Sequence, residues 1–564
     1  MTLVLGLIAG IFITMVLIPP LAKVAGVLGL EDPPGERKVH KVPIPRVGGI
    51  GIAMGVLLPV MMWLPLRGEV LGYVLGAVWI LVFAVVDDIK PLSYRWKFIA
   101  QVPAVAVAMN SGIVLQHLPF MGLDPAPAWL SFSVTVLFIL GITNAINLFD
   151  GLDGLAGGCV LLSLGAIGYL AFEVGGLVVT LISLAMMGGI LGFLNFNTHP
   201  AQVFLGDAGS QFLGFSLAVL AILLIETTHT ALNPGLPLLL LGLPILDTLV
   251  VIVLRLSQGR SPFAADRQHI HHQLLDCGLS HSQAVSVIYI FQAILVGSAL
   301  LLPYQSDLTV VGIFVAECAI FMAVIRVALR NSLRQPLQAG AAVPRPAVGL
   351  AAGSGVGGQY LFGLGGLLRG GASAAEGLSS KIQLLSQAVE VGFAVFLLFG
   401  ASFGRAFDRD ISLIALCVAG LMLFAALFLR ASTYLFTRVG VYVASLLVIV
   451  AIVPLTQQNP SLYWLVKIWL GALAVATIIG IRAVRRVTFQ VTPQDLLLGF
   501  FALAVPILPK EVFAGLPAGF LVISAVILFY ACEYLISVAN HRYILLRIAT
   551  FTALLVIGLR GGLF

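Results

Sequence analysis

The 564 residues are 60% hydrophobic and only 10% charged, with a mean hydropathy of +1.09, against the roughly 25% charge of an ordinary soluble domain. Lipid is the solvent for such a chain: no water reaches the hydrocarbon core, so apolar runs of about 20 residues fold as helices and open sheets are excluded. The net charge of +6 does not require nucleic acid, because Lys and Arg fall between apolar runs, where topology and anionic lipid account for them.

Taken in chain order, apolar segments fall near 1–22, 47–66, 69–86, 98–115, 128–147, 155–172, 177–194, 210–226, 234–254, 284–303 and 308–329. The first lacks a basic n-region and a small-residue cleavage site, so it reads as a retained helix rather than a secretory signal. Residues 336–380 are rich in Gly, Ala and Pro and read as a linker. Beyond them lie segments near 382–402, 411–429, 435–455, 462–481, 496–509, 514–535 and 543–560. The expected fold is therefore an all-α polytopic membrane bundle, with about 11 helices in a domain over residues 1–335 and about 7 in a second over 381–564. The five cysteines are scattered, with no CxxC spacing for a zinc site or disulfide framework.

Counting alternate loops as one side gathers Lys23, Arg37, Lys38, Lys41, Arg46, Lys90, Arg95, Lys97, Arg255, Arg260, Arg267, Arg326, Arg330 and Arg334 together, with only Arg67 opposite. The positive-inside bias places the basic loops in the cytoplasm and the N-terminus outside. Every polar cluster of the first domain falls on that cytoplasmic side.

Asp87 and Asp88 close the third segment. Adjacent carboxylates at a membrane edge repel unless a cation lies near, which suits Mg²⁺; alternatively they are a solvated helix end. In TNAINLFDGLDGLAGG, Asn144, Asn147, Asp150 and Asp153 recur at spacing three and aim oxygen donors into one space, among glycines that let backbone approach a ligand. A plain Asn/Asp/Gly turn is the simpler reading. In NFNTHPAQVFLGDAGSQFLG, Asp207 lies among Gly206, Gly209 and Ser210 just before a span, where backbone donors can meet phosphate oxygens and the carboxylate their metal; Phe204 can stack on a base. Asp207 also suits a helix N-cap. His269, His271 and His272, with Arg260 and Arg267, form a cationic patch suited to a pyrophosphate, or a plain basic surface. Lys38, His40, Lys41 and Arg46 precede glycines that open the second span, a pattern that topology and helix packing also explain.

In this order and on one face, these segments resemble the polyprenyl-phosphate N-acetylhexosamine-1-phosphate transferase family over about residues 1–335. The resemblance rests on PxPRxGG at Pro43 to Gly49, DD at Asp87 and Asp88, NxxNLxDGLDGLA at Asn144 to Ala156, NxxPAxxFLGDxGS at Asn197 to Ser210, and HxHHxLL at His269 to Leu275. Pro91 stands where related families carry an acid or Lys, and the HIHHQLL loop is similar to the GlcNAc-type branch rather than to the pentapeptide transferase.

The resemblance implies a bacterial inner-membrane enzyme with a cytoplasmic cleft that moves N-acetylhexosamine-1-phosphate from a UDP-sugar to polyprenyl phosphate. UMP would leave, and a lipid-linked cell-envelope glycan, such as the O-antigen of lipopolysaccharide, would begin. It further implies dependence on Mg²⁺, with Mn²⁺ as a substitute, held by Asn147 and Asp207. Asp87, Asp88, Asp207, His269, His271 and His272 become the catalytic set. Lys41, Arg46, Lys97 and Arg260 become phosphate contacts, with Asn144 and Asp150 in the substrate site and Asp153, Asn197 and Phe204 at the uridine. A homodimer is a further implication. The competing class is a transporter or flippase, whose acids belong near mid-span in two related halves; here they sit at span ends without a visible inverted repeat.

Overall fold

The computed structural model describes residues 2–34, 42–121, 125–261, 268–334, 376–404, 409–428, 433–484, 493–504, 518–538 and 543–560. Lys41 and Arg267 lie outside them, as do Arg37, Lys38 and His40. The protein is an all-α polytopic membrane bundle. Among the described residues, thirteen helices are long and apolar enough to cross a bilayer.

The predicted spans of the first domain are taken by α1 (Thr2–Leu28), α2 (Gly48–Trp63), α3 (Gly68–Ile89), α4 (Tyr94–Asn110), α5 (Ala128–Phe149), α6 (Leu155–Glu173), α7 (Leu177–Asn197) and α8 (Gly206–Leu223). They continue with α9 (Leu236–Leu240), α10 (Gly242–Ser257), α11 (Ile270–Asp276), α12 (His281–Leu301) and α13 (Asp307–Arg334). The C-terminal helices are α14 (Glu376–Phe403), α15 (Arg409–Phe428), α16 (Thr433–Gln458), α17 (Pro460–Val484), α18 (Pro493–Ala504), α19 (Ala518–Val538) and α20 (Ile544–Arg560). Helix α14 starts at Glu376, inside the span read as linker, so that boundary moves back; residues 336–375 lie outside the described residues.

Helix α8 is the axis of the first domain. Every residue from Ala208 to Leu223 is buried, as expected of a helix that is apolar or small on all sides. It packs against α2, α3 and α5. Gly49 and Gly209 bring α2 and α8 into backbone contact: a Cβ on Gly49 would stand 2.0 Å from the Gly209 nitrogen. A short antiparallel pair, β1 (Glu31–Asp32) with β2 (Ile44–Pro45), leads the chain from α1 into α2.

The segment expected as one span over 234–254 is two helices, broken at Leu241. Pro244 has no N–H for the Leu240 carbonyl, and an unsatisfied carbonyl is costly at membrane depth. Gln292 Nε2 at 3.0 Å and Ser163 Oγ at 2.7 Å donate to it instead. The break therefore depends on side chains from α6 and α12, far away in sequence.

Candidate active site

Among the described residues, the connections that follow α1, α3, α5, α7 and α10 share one end of the bundle, and the described members of the predicted polar clusters lie there. The two adjacent aspartates divide their work. Asp88, only 5% exposed, accepts the Asp207 and Ala208 backbone N–H groups, both at 2.9 Å. It thus caps the start of α8 from a different helix, satisfying donors that a helix N-terminus leaves open. Gly206, at φ +73°, makes the turn into α8, and a Cβ there would press on the Asp88 carboxylate at 2.8 Å.

Asp87 faces the other way. Its Oδ1 accepts Leu92 N–H at 2.8 Å, and its Oδ2 stands 2.6 Å from Lys97 Nζ. The same ammonium lies 2.7 Å from Asp207 Oδ2. Asn147 Nδ2 donates to Asp207 Oδ1 and to Ser210 Oγ, each at 2.8 Å. Four helices thus deliver two carboxylates, one amide and one cation to a single point.

Around this point lies a ring of further groups. Asp150, between α5 and α6, is pushed up to about pH 8, first by burial and then by the charges of Asp207, Asp153 and Asp88. His271 is 2% exposed, with its Nε2 pressed on Gly151, where a Cβ would fall 2.3 Å away. Burial, then the neighbouring His272, drives the His271 imidazole down to about pH 3. Its Nδ1 has no hydrogen-bond partner among the described residues, an orphan in a protein interior that ordinarily leaves none. His269 and His271 stack at 5.6 Å, and His272 lies 4.2 Å beyond.

Other predicted residues are spoken for by the scaffold. Asn197 accepts Gly154 N–H at 2.7 Å and donates to the Val203 carbonyl at 2.9 Å, bracing the two glycine-rich loops. Phe204 is tied through its backbone to Pro45 and Gly48. Arg46 pairs with Asp32. Asn144 turns inward to Gln101 at 2.8 Å. Arg260 is exposed, its guanidinium 3.5 Å from Gln258.

Three residues escaped the sequence reading. Asp247, 1% exposed, accepts Ile270 N–H and meets His269 Nδ1, both at 2.7 Å; an acid inside an apolar helix was the signal for it. His199 Nδ1 meets Asp153 Oδ2 at 2.7 Å and stacks on His281 at 4.0 Å.

The donor set fits a hard divalent cation. Asp87 and Asp207 already hold a positive group, the Lys97 ammonium, between their free oxygens. Asn147 presents its nitrogen to Asp207 and would ligate after a flip of its amide, an orientation that hydrogen bonding alone assigns.

Comparison with known proteins identifies the family. A family model described as glycosyl transferase family 4 matches residues 70–225. The chain is 36% identical over 303 residues to a probable undecaprenyl-phosphate N-acetylglucosaminyl 1-phosphate transferase of Bacillus subtilis, covering 53% of this chain and 85% of that protein. It is 34% identical over 327 residues to a decaprenyl-phosphate N-acetylglucosaminephosphotransferase of Mycobacterium tuberculosis, covering 51% and 79%. It is 32% identical over 304 residues to the undecaprenyl-phosphate alpha-N-acetylglucosaminyl 1-phosphate transferase of Escherichia coli K12, covering 50% and 79%. With the matched residues running through α3 to α8 and the cluster they form, the chain belongs to glycosyl transferase family 4, among the polyprenyl-phosphate N-acetylhexosamine-1-phosphate transferases.

Proposed function

We propose that this protein transfers N-acetylhexosamine-1-phosphate, GlcNAc-1-phosphate foremost, from a UDP-sugar to a polyprenyl phosphate such as undecaprenyl phosphate, releasing UMP and starting a lipid-linked cell-envelope glycan. The observation that carries this reading is the convergence of Asp87, Asp207, Asn147 and Lys97 on one point. The site lies on the end of the bundle that holds the basic loops, which supports a cytoplasmic active site in a bacterial plasma membrane.

The central obstacle is electrostatic, since a lipid phosphate must approach a diphosphate. Asp207, Asp87 and Asn147 would hold Mg²⁺, or Mn²⁺ in its place, which when bound would supply charge neutralisation of the diphosphate. Lys97, at 2.6 and 2.7 Å from Asp87 and Asp207, is the cation placed to meet phosphate oxygens. Asp88, through its hold on α8, keeps Asp207 in place. His271, neutral above about pH 3, offers its orphan Nδ1 to a phosphate oxygen as a donor in one tautomer, and Asp247 fixes His269 beside it. Asp153, braced by His199, and the loop held by Asn197 are left for the uridine, with Phe204. A lipid-phosphate oxygen bonds to the sugar-side phosphorus as the bond from that phosphorus to the bridging oxygen breaks, and UMP takes the electron pair. The acceptor phosphate has a second pKa of about 6, so it attacks as a dianion and no strong base is needed. Asp87 positions it.

The test uses the full-length protein in lipid nanodiscs with undecaprenyl phosphate, Mg²⁺ and UDP-GlcNAc labelled with ³²P at the sugar-side phosphorus. The label is expected in the lipid, with unlabelled UMP released in equal amount. Label left in a nucleotide, or lipid carrying sugar without it, would reject the proposal.

A further inference from the structure

One helical turn deeper than the charged groups, the same three helices carry three amides. On α4, Gln101 lies four residues after Lys97; on α5, Asn144 lies three before Asn147; on α8, Gln211 lies four after Asp207. Residues at these spacings sit above one another on a helix face, one turn apart. The three amides meet. Asn144 Nδ2 donates to Gln101 Oε1 at 2.8 Å, and Gln101 Nε2 donates to Gln211 Oε1 at 3.0 Å. Gln101 and Gln211 are 2% and 5% exposed. A cavity of about 10 Å³, lined by Asp87, Lys97, Gln101 and Gln211, connects the two tiers and is the size of one water.

We propose that Gln101 and Gln211 are positioning residues of the transferase, which with Asn144 form an amide floor that sets the mutual register of α4, α5 and α8. Buried amides at membrane depth are costly unless paired. Gln101 is paired on both its oxygen and its nitrogen only when the three helices stand in this register, so sliding one of them costs a hydrogen bond. The groups fixed by that register are those one turn above: Lys97, Asn147 and Asp207. Reacting groups displaced by about 1 Å lose catalysis out of proportion to stability. This inference rests on the transfer reaction proposed above and adds to it two residues that touch neither substrate.

The experiment compares wild type with Gln101→Met, Gln211→Met and the double variant, each full length in nanodiscs. Methionine keeps the volume and removes the polar groups. Gln101→Met takes from the Gln211 oxygen its 3.0 Å donor, and Gln211→Met leaves the Gln101 nitrogen only the 3.5 Å contact to Asn144 Oδ1, so both singles should melt below wild type. The double variant removes both glutamines together and costs Asn144 only the long 3.5 Å contact to its oxygen, while its nitrogen still donates to the Leu140 carbonyl at 2.7 Å. It should recover most of the melting temperature, keep KM for UDP-GlcNAc within about twofold, and retain a kcat lower by about tenfold or more. Mn²⁺ binding, followed by electron paramagnetic resonance, reads the same geometry without turnover and should weaken several-fold. A double variant with wild-type kcat and Mn²⁺ affinity overturns the proposal, as does a kcat loss matched by the fraction unfolded. Failure of the wild type to release UMP speaks against the transferase reading instead, and Mn²⁺ affinity then decides the floor.

Discussion

The N-terminal and C-terminal bundles of this protein arrange their polar groups differently. In the C-terminal helices several described polar groups are matched pairwise: Arg438 pairs with Glu533 at 2.6 Å, Tyr530 donates to Asp495 at 2.6 Å, and Glu390 accepts Leu546 N–H at 3.0 Å. These are staples between neighbouring helices. In the first bundle the polar groups converge, shared carboxylates meet one ammonium, and an imidazole nitrogen is left without a protein partner. Pairing that closes on itself holds helices together, whereas pairing left open at one point leaves capacity for a ligand.

That contrast can be broken by substitution. Lys97→Met should lower UMP release per folded molecule by about 100-fold to 1,000-fold, as measured by turnover normalised to the folded protein that melting in nanodiscs reports. Arg438→Leu strands the Glu533 carboxylate and should destabilise the C-terminal helices by about 3 kcal/mol, while turnover per folded molecule stays at the wild-type level. If Arg438→Leu silences turnover in well-folded protein, the C-terminal pair is no mere staple.

Legibility in the sequence follows the same division. The spans were readable because apolar length fixes a helix in lipid, and Asp87, Asn147, Asp207 and His271 were readable because each lies in a loop-edge run dense in oxygen or nitrogen donors. Gln101, Gln211 and Asp247 are single polar residues inside apolar helices, and nothing local separates a site-building amide from a satisfied core one. The break at Leu241 was hidden for a related reason: Pro244 announces a missing donor, but the replacement comes from Ser163 and Gln292. Nor could sequence separate Asp88, which caps α8, from Asp87, which faces Lys97, because the difference lies in where α8 begins.

Smaller effects sharpen the comparison through pH. Asp150 binds a proton in the folded state up to about pH 8, but in the unfolded chain only to 3.8. The folded protein therefore holds the extra proton between these values, and stability falls as pH rises through that window. In metal-free buffer Asp150→Asn should flatten this decline in the melting temperature. His271 has the reverse sign: its folded value of about 3 lies below the unfolded 6.5, so its contribution is complete above pH 6.5 and is lost as pH falls towards 3. His271→Gln should blunt that acid arm. Chains ending at residue 335 should keep wild-type turnover, the smallest change of all; loss of turnover in folded truncated protein would tie the C-terminal helices to the site.

The central claim is that groups from distant stretches of chain act as one site around Asp207. Single-turnover transfer by full-length Asp207→Ala in nanodiscs, with UDP-GlcNAc, Mg²⁺ and undecaprenyl phosphate, tests it most directly. The account predicts folded protein with transfer slowed by about 1,000-fold; folded Asp207→Ala protein that forms lipid-linked sugar phosphate at the wild-type rate would contradict it.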